Sequence, residues 1–463
     1  MHGSPRDEAG HLVPPFPDPH PKKSSLVARF FRGWNSWIHV LFDKSYTMKM
    51  GEIRLPGIHM YIANELPLVR RIMDGAKDFP KHDLMVRSLE PAIGRSTFNA
   101  NGDDWQLQRE MINPVFQHTA LGRTLPLMRD AADDVARRIA AMDLSKPIDV
   151  DPLMTHIAAD VIWRTLFSVP LDAAGSAIIH RTFNRFQRHA HSAWMLRSYR
   201  LPTLGAEKRA QKAATAIHAV FADIVRARYD RWHRDGERVH EDILQGLLEA
   251  KHPETGEPFT YQGVMEQVSL IFLAGHETSA SLMAWALYCL AADPDTQSAM
   301  RAEAEEATGG GPLTAEALRR MALDRNVVRE TLRLYPPVSF LPREVVCPVQ
   351  MRDKNLEPGA MLVVAPWLIQ RNRDNWACPH SFDPDRFETA EGRAMMKDAW
   401  LPFGSGPRIC VGAGFATQEA MVVLATLVRA FDLQALADDV PEPISRLTLR
   451  PKDGIRLRLA ALG

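Results

Sequence analysis

Residues 403–412 read Phe-Gly-Ser-Gly-Pro-Arg-Ile-Cys-Val-Gly. One cysteine, Cys410, stands between a glycine-rich turn and a segment, Ala413 to Leu427, whose apolar spacing predicts a helix. Gly404 and Gly406 carry no Cβ, so the backbone there can bend sharply and approach a flat ligand. A cysteine near a helix start meets unpaired N–H groups and the positive end of the dipole. That setting is expected to lower the thiol pKa and favour the thiolate, the form that binds metal. No second cysteine or histidine lies at metal-finger spacing, so the pattern is that of a single thiolate ligand.

Moving outward, Tyr261 to Ala292 is the longest helical stretch, closed by Asp293-Pro294. At its centre lies Ala274-Gly-His-Glu-Thr-Ser279. Gly275 is expected to give room on the helix face, and Thr278 to return its hydroxyl to a backbone carbonyl and open the ladder locally. His276-Glu277 begins like a zinc HExxH motif, but Ala280 occupies the place of the second histidine. Glu330 and Arg333 are spaced to share one helix face, ahead of Leu-Tyr-Pro-Pro-Val338. Trp105 and Arg109 are likewise i, i+4 neighbours, and Asp385-Arg386-Phe387 follows further on.

Phe403, Gly406, Arg408, Cys410 and Gly412 fill every fixed place of the haem-binding loop of the cytochrome P-450 family, which this segment resembles. The central helix, the Glu330–Arg333 pair, Arg386 and the Trp105–Arg109 pair are similar to that family's other signatures. The resemblance implies a mainly α fold with a minor β domain, a single two-lobed catalytic domain, holding haem b (iron protoporphyrin IX). It makes Cys410 the proximal iron ligand, with Phe403, Gly404 and Gly412 forming the loop around it. A thiolate ligand favours O–O cleavage. It assigns Arg408, Trp105, Arg109, Arg343 and His118 to the haem propionates. It places Ala274, Gly275, Glu277 and Thr278 where dioxygen is handled, with Thr278 and Glu277 serving proton delivery. Glu330, Arg333 and Arg386 become a buried network supporting the haem loop. The pocket is expected from Met85–Phe98, Phe183–Leu204, Phe272–Thr278, Val338–Leu341 and a loop near Ile444. Fatty acid, alkane or terpenoid hydroxylation or epoxidation is the implied activity. A steroid or aromatic hydroxylase, or a peroxide-using relative, is the alternative.

Composition bounds the partners. Of 463 residues 46% are hydrophobic, and 56 basic residues balance 56 acidic ones. Zero net charge gives no sign of a nucleic-acid binder. Four cysteines without a CxxC pair point to a reducing, cytoplasmic setting. No Rossmann fingerprint follows the cysteine loop, so electrons are expected from a ferredoxin with its ferredoxin reductase. Arg371 and Arg373 are candidates for docking that acidic partner. The chain is expected to act as a monomer, without a transmembrane segment. Residues 1–25, rich in proline, read as a flexible or extended leader, and 26–463 as the haem domain. Leu26 to Phe42 reads as an N-terminal helix packed on the body, with a surface-lying amphipathic segment as the alternative. Glu52 to Ala63 predicts a hairpin, 344–366 strands, and Ile455–Leu459 an exposed strand.

Overall fold

The 32-residue helix Tyr261–Ala292 is the axis of the computed structural model. The structure describes residues 5–116 and 118–462, and for 118–123 and 173–174 the backbone only. The axial helix is about 48 Å long. It starts at Thr260, whose hydroxyl accepts the Gly263 N–H. Its residues are apolar on nearly every side, so it is buried on nearly every side. Helices Val150–Phe167, Ala206–Asp235, Ala322–Leu334 and Ala413–Ala430 pack around it. A Cβ on Gly275 would meet Ile162 Cγ1 at 3.1 Å. Gly275 therefore opens space for the neighbouring helix Val150–Phe167, not for a ligand face as expected.

The strands are few and lie to the side. Met50–Leu55 and Ile58–Ala63 form the expected antiparallel hairpin. Ile58–Ala63 then pairs in parallel with Met361–Val364, which pairs antiparallel with Leu341–Glu344. Arg456–Ala461 lies between Ile148–Asp149 and Phe431–Ala435. Two short hairpins complete the strands among the described residues. The expected mainly α fold with a minor β part is what the chain forms.

The proline-rich leader is held against the body from residue 6 onward. Arg6 pairs with Asp293 at 3.0 Å, and the Ser381 hydroxyl donates to Asp7 at 2.6 Å. Leu12 is buried and bridges to Phe382. Phe16 stacks on His380, with ring centres 4.2 Å apart, and Tyr335 donates its hydroxyl to the Pro15 carbonyl at 2.7 Å. Proline leaves few N–H groups to satisfy, so an extended strap costs little in hydrogen bonds.

Helix Leu26–Asn35 and the following turn Trp37–Val40 lie on helix Ala173–Ser198. Phe30 meets Tyr199 and Trp37 meets Trp194 edge to face. Val27 and Phe31, at 66% and 65% exposure, point outward. Among the described residues no helix is long and apolar enough to cross a membrane.

Candidate functional site

The cysteine loop is bent by its glycines. Gly404 and Gly406 sit at φ 71° and 67°, and a Cβ on Gly406 would press into the Met73 carbonyl at 2.5 Å. The Cys410 N–H donates to the Phe403 carbonyl at 3.0 Å, and Phe403 packs edge-on against Trp400. Gly412 caps helix Ala413–Ala430, so Cys410 stands just before a helix start. The thiol pKa nevertheless moves opposite to expectation. Although the side chain is exposed, the protein packed around it desolvates the thiolate and raises its pKa, and the Gly412 N–H, Arg109 and Lys81 offset that only in part. Deprotonation is thus tied to ligation, since a metal-bound thiol gives up its proton outright.

Four cations gather beside this thiol: Lys81, Arg109, Arg343 and Arg408. Arg109 donates to the Ile409 carbonyl at 2.8 Å. Arg408 Nη2 donates to the Ala100 carbonyl and to Asn101 Oδ1, both at 3.0 Å, and its guanidinium lies over Trp105. Lys81 Nζ stands 3.0 Å from the Phe98 ring centre. None of the four makes an ion pair with a described carboxylate. Burial and mutual repulsion lower the Lys81 pKa, and they push Arg408 down to about 9. Burial pushes Arg343 down to about 10. Arg343 Nε and Arg408 Nε and Nη1 are buried without a partner. Buried cations call for anions, and planar guanidinium forks suit carboxylates. Two propionates beside one free thiol fit this set. The His118 side chain lies outside the described residues.

Beneath the loop lies the Glu330 network. Arg333 pairs with Glu330 through two 2.7 Å bonds, and Arg386 reaches Glu330 at 3.1 Å. Arg333 also donates to the Gln370 carbonyl at 2.8 Å, and Gln370 Oε1 accepts the Leu401 N–H at 2.6 Å. The network therefore grips the backbone two residues before Phe403.

On the axial helix Thr278 donates to the Ala274 carbonyl at 2.7 Å. Glu277 turns elsewhere, as adjacent helix residues must. Its Oε1 accepts from Gln187 at 2.6 Å and Thr448 at 2.9 Å, with Arg450 Nε at 3.5 Å. Burial alone would raise the Glu277 pKa, but Arg450, His276 and these hydrogen bonds hold it below its ordinary value. Arg450 also faces Asp151 at 3.4 Å. A buried polar chain thus runs from Glu277 to Arg450 and Asp151, behind the Thr278 turn.

Thr278 and Ala274 line a cavity of about 260 Å³. All five expected stretches contribute to its wall, among them Met85, Phe183, Leu273, Val338 and Ser445. Trp37 and Leu41, from the N-terminal segment, and Ile53 and Met60, from the hairpin, line it as well. These were missed because their motif-free segments reach the site only through the tertiary fold. Lys81, Asn101, Gln187, Thr448 and Arg450 were missed for the same reason.

Arg371 is not a surface residue. It is 1% exposed, stacked on Trp367 at 4.2 Å, and donates to the Leu334 carbonyl at 2.6 Å. Arg373, two residues on, is exposed.

The sequence model of the cytochrome P-450 family matches residues 14–459. Among curated relatives, "11-oxo-beta-amyrin 30-oxidase" of Glycyrrhiza uralensis is 29% identical across 85% of this chain and 77% of its own. "Taurochenodeoxycholic 6 alpha-hydroxylase" of Sus scrofa is 29% identical across 83% and 79%. "Cyclooctat-9-en-7-ol 5-monooxygenase" of Streptomyces melanosporofaciens is 28% identical across 83% and 82%.

Proposed function

Since the chain belongs to the cytochrome P-450 family, whose members bind haem b through a cysteine thiolate, we propose that Cys410 is that ligand in a monooxygenase acting on an apolar fatty acid, alkane or terpenoid. One C–H bond, dioxygen, two electrons and two protons become a C–OH group and water. A separate ferredoxin with its reductase is the proposed electron donor. When bound, the haem supplies the activation of dioxygen. The four cations hold its carboxylates, and the apolar wall holds the substrate and excludes water. Thr278 holds a proton at Oγ1, bonded to the Ala274 carbonyl. Glu277, charged against Arg450, passes protons towards that turn from the Asp151 side. The relatives named for triterpenoid-type and bile-acid oxidations support a bulky apolar ligand class. All four cysteines are free, consistent with the reducing cytoplasm we assign to it.

What carries this reading is a free thiol beside four cations that no described carboxylate neutralises, next to an apolar cavity. The test is the reduced carbonyl spectrum of the haem-loaded protein. Wild type should show the thiolate-type band, and Cys410→Ser should lose it. An unchanged band in Cys410→Ser would show that another residue is the ligand.

A further inference from the structure

We propose that Glu277 delivers protons to the cavity through the hydroxyl of Thr448, a residue 171 positions away, and not through its chain neighbour Thr278. This rests on the monooxygenase reading and deepens it, by adding a relay residue that belongs to none of the chain's motifs.

Glu277 is 2% exposed and does not line the cavity, whereas Thr278 and Thr448 both do. A proton leaving Glu277 for the cavity therefore needs a carrier. Thr278 is poorly placed to be one. Successive helix residues point about 100° apart, and the Thr278 hydroxyl donates to the Ala274 carbonyl at 2.7 Å. Thr448 touches the acid directly, with Oγ1 donating to Glu277 Oε1 at 2.9 Å. Gln187 closes a triangle, donating to Glu277 Oε1 at 2.6 Å and accepting from Thr448 at 3.3 Å. Acid, hydroxyl and cavity thus follow one another in contact.

The fold holds Thr448 in that place. It belongs to the turn 446–448 between strands Pro443–Ser445 and Leu449–Pro451, and all three turn residues line the cavity. The next residue, Leu449, is fixed on both sides. Its N–H donates to the Pro337 carbonyl at 2.8 Å, and its carbonyl accepts from Ser281 at 2.5 Å. Ser281 stands one helical turn beyond Glu277, so donor and carrier are tied to one frame. In the transfer, Glu277 is first protonated from the Asp151 side. It then gives that proton to Thr448 Oγ1, and the Thr448 hydroxyl gives its own to an oxygen acceptor in the cavity. One proton enters and one leaves, so Thr448 ends as a hydroxyl and Glu277 as a carboxylate.

The test compares holoenzyme variants in turnover of dodecanoic acid, dodecane and limonene, using whichever is oxidised fastest. Thr448→Val removes the hydroxyl at nearly constant shape and should slow product formation about 10²-fold, as Glu277→Gln does. Thr448→Ser should recover most of the rate. The double variant Glu277→Gln/Thr448→Val should be no slower than either single one, because both interrupt one path. In the resting protein, the carboxylate infrared band that Glu277→Gln removes should shift in Thr448→Val and stay in place in Thr278→Ala. A wild-type rate or an unmoved band in Thr448→Val would overturn the proposal. So would a Thr448→Ser protein as slow as Thr448→Val, or defects that multiply in the double variant, and the monooxygenase reading would then still stand. No product from any of the three compounds with wild type would sink that reading, and this proposal with it.

Discussion

The guanidinium of Arg408 lies 4.3 Å from the centre of the Trp105 indole. Asn101 fixes the arrangement, accepting from Arg408 at 3.0 Å and from the Lys81 N–H at 2.9 Å. One residue thus spaces two cations of the cradle. Cation–π contact of this kind is worth about 0.5–2 kcal/mol. Arg408→Gln should speed haem loss on the order of tenfold, since it removes a charged hydrogen-bonding partner. Trp105→Leu should act in the same direction more weakly. Transfer of haem to apomyoglobin measures both, and unchanged rates would detach Arg408 from the cofactor.

Thr278 and Glu277 are neighbours with separate surroundings, so their variants should fail differently. Thr278→Ala should consume reductant with little product and release hydrogen peroxide, while Thr278→Ser stays coupled. Glu277→Gln should slow turnover by about 10²-fold with coupling less affected. Paired assays of reductant, peroxide and product separate the two, and identical defects would argue against two roles.

Glu419 lies buried on the helix after the cysteine loop, hydrogen-bonded to Ser279. Burial pushes its pKa up to about 8 from 4.5, with the Ser279 bond opposing. An acid whose folded pKa is raised gives stability that is whole below about pH 4.5 and lost as pH rises through about 8. Relative to Glu419→Gln, wild type should therefore lose on the order of 3–5 kcal/mol across that window. Thermal unfolding of both proteins against pH checks this, and parallel curves would refute it.

Arg371→Ala should lower stability by about 2–4 kcal/mol, because it empties a packed site against Trp367. Arg373→Ala should leave stability alone and weaken the salt dependence of electron transfer. Unfolding midpoints and stopped-flow reduction distinguish them. A stable Arg371→Ala protein with altered salt dependence would reverse the assignment.

What could be read from the chain follows from how far apart the partners lie. The Cys410 loop, the Thr278 turn and the Glu330–Arg333 pair are local patterns, where spacing alone brings side chains together. The whole axial helix, Tyr261 to Ala292, was legible for the same reason. Lys81 and Arg450 belong to no motif, and their meaning comes from side chains that only the tertiary fold brings beside them, Arg343 and Arg408 for the first and Glu277 and Asp151 for the second. Arg371 misled because a charge in a connecting segment resembles a surface charge until Trp367 covers it. Gly275 misled because a missing Cβ serves whichever neighbour is close, and that neighbour is Ile162.

The strap of residues 6–16 sets a timetable for synthesis. Its contacts span 287 residues to Asp293, 320 to Tyr335 and 374 to Ser381. At ribosomal speeds of about 5–20 residues per second, roughly 15–75 s separate the emergence of the strap from that of its partners. Leu12 and Phe16 must wait in the open for that interval. Their closure is a late event of chain maturation, and it ties an early-made segment to the scaffold beneath the cysteine loop.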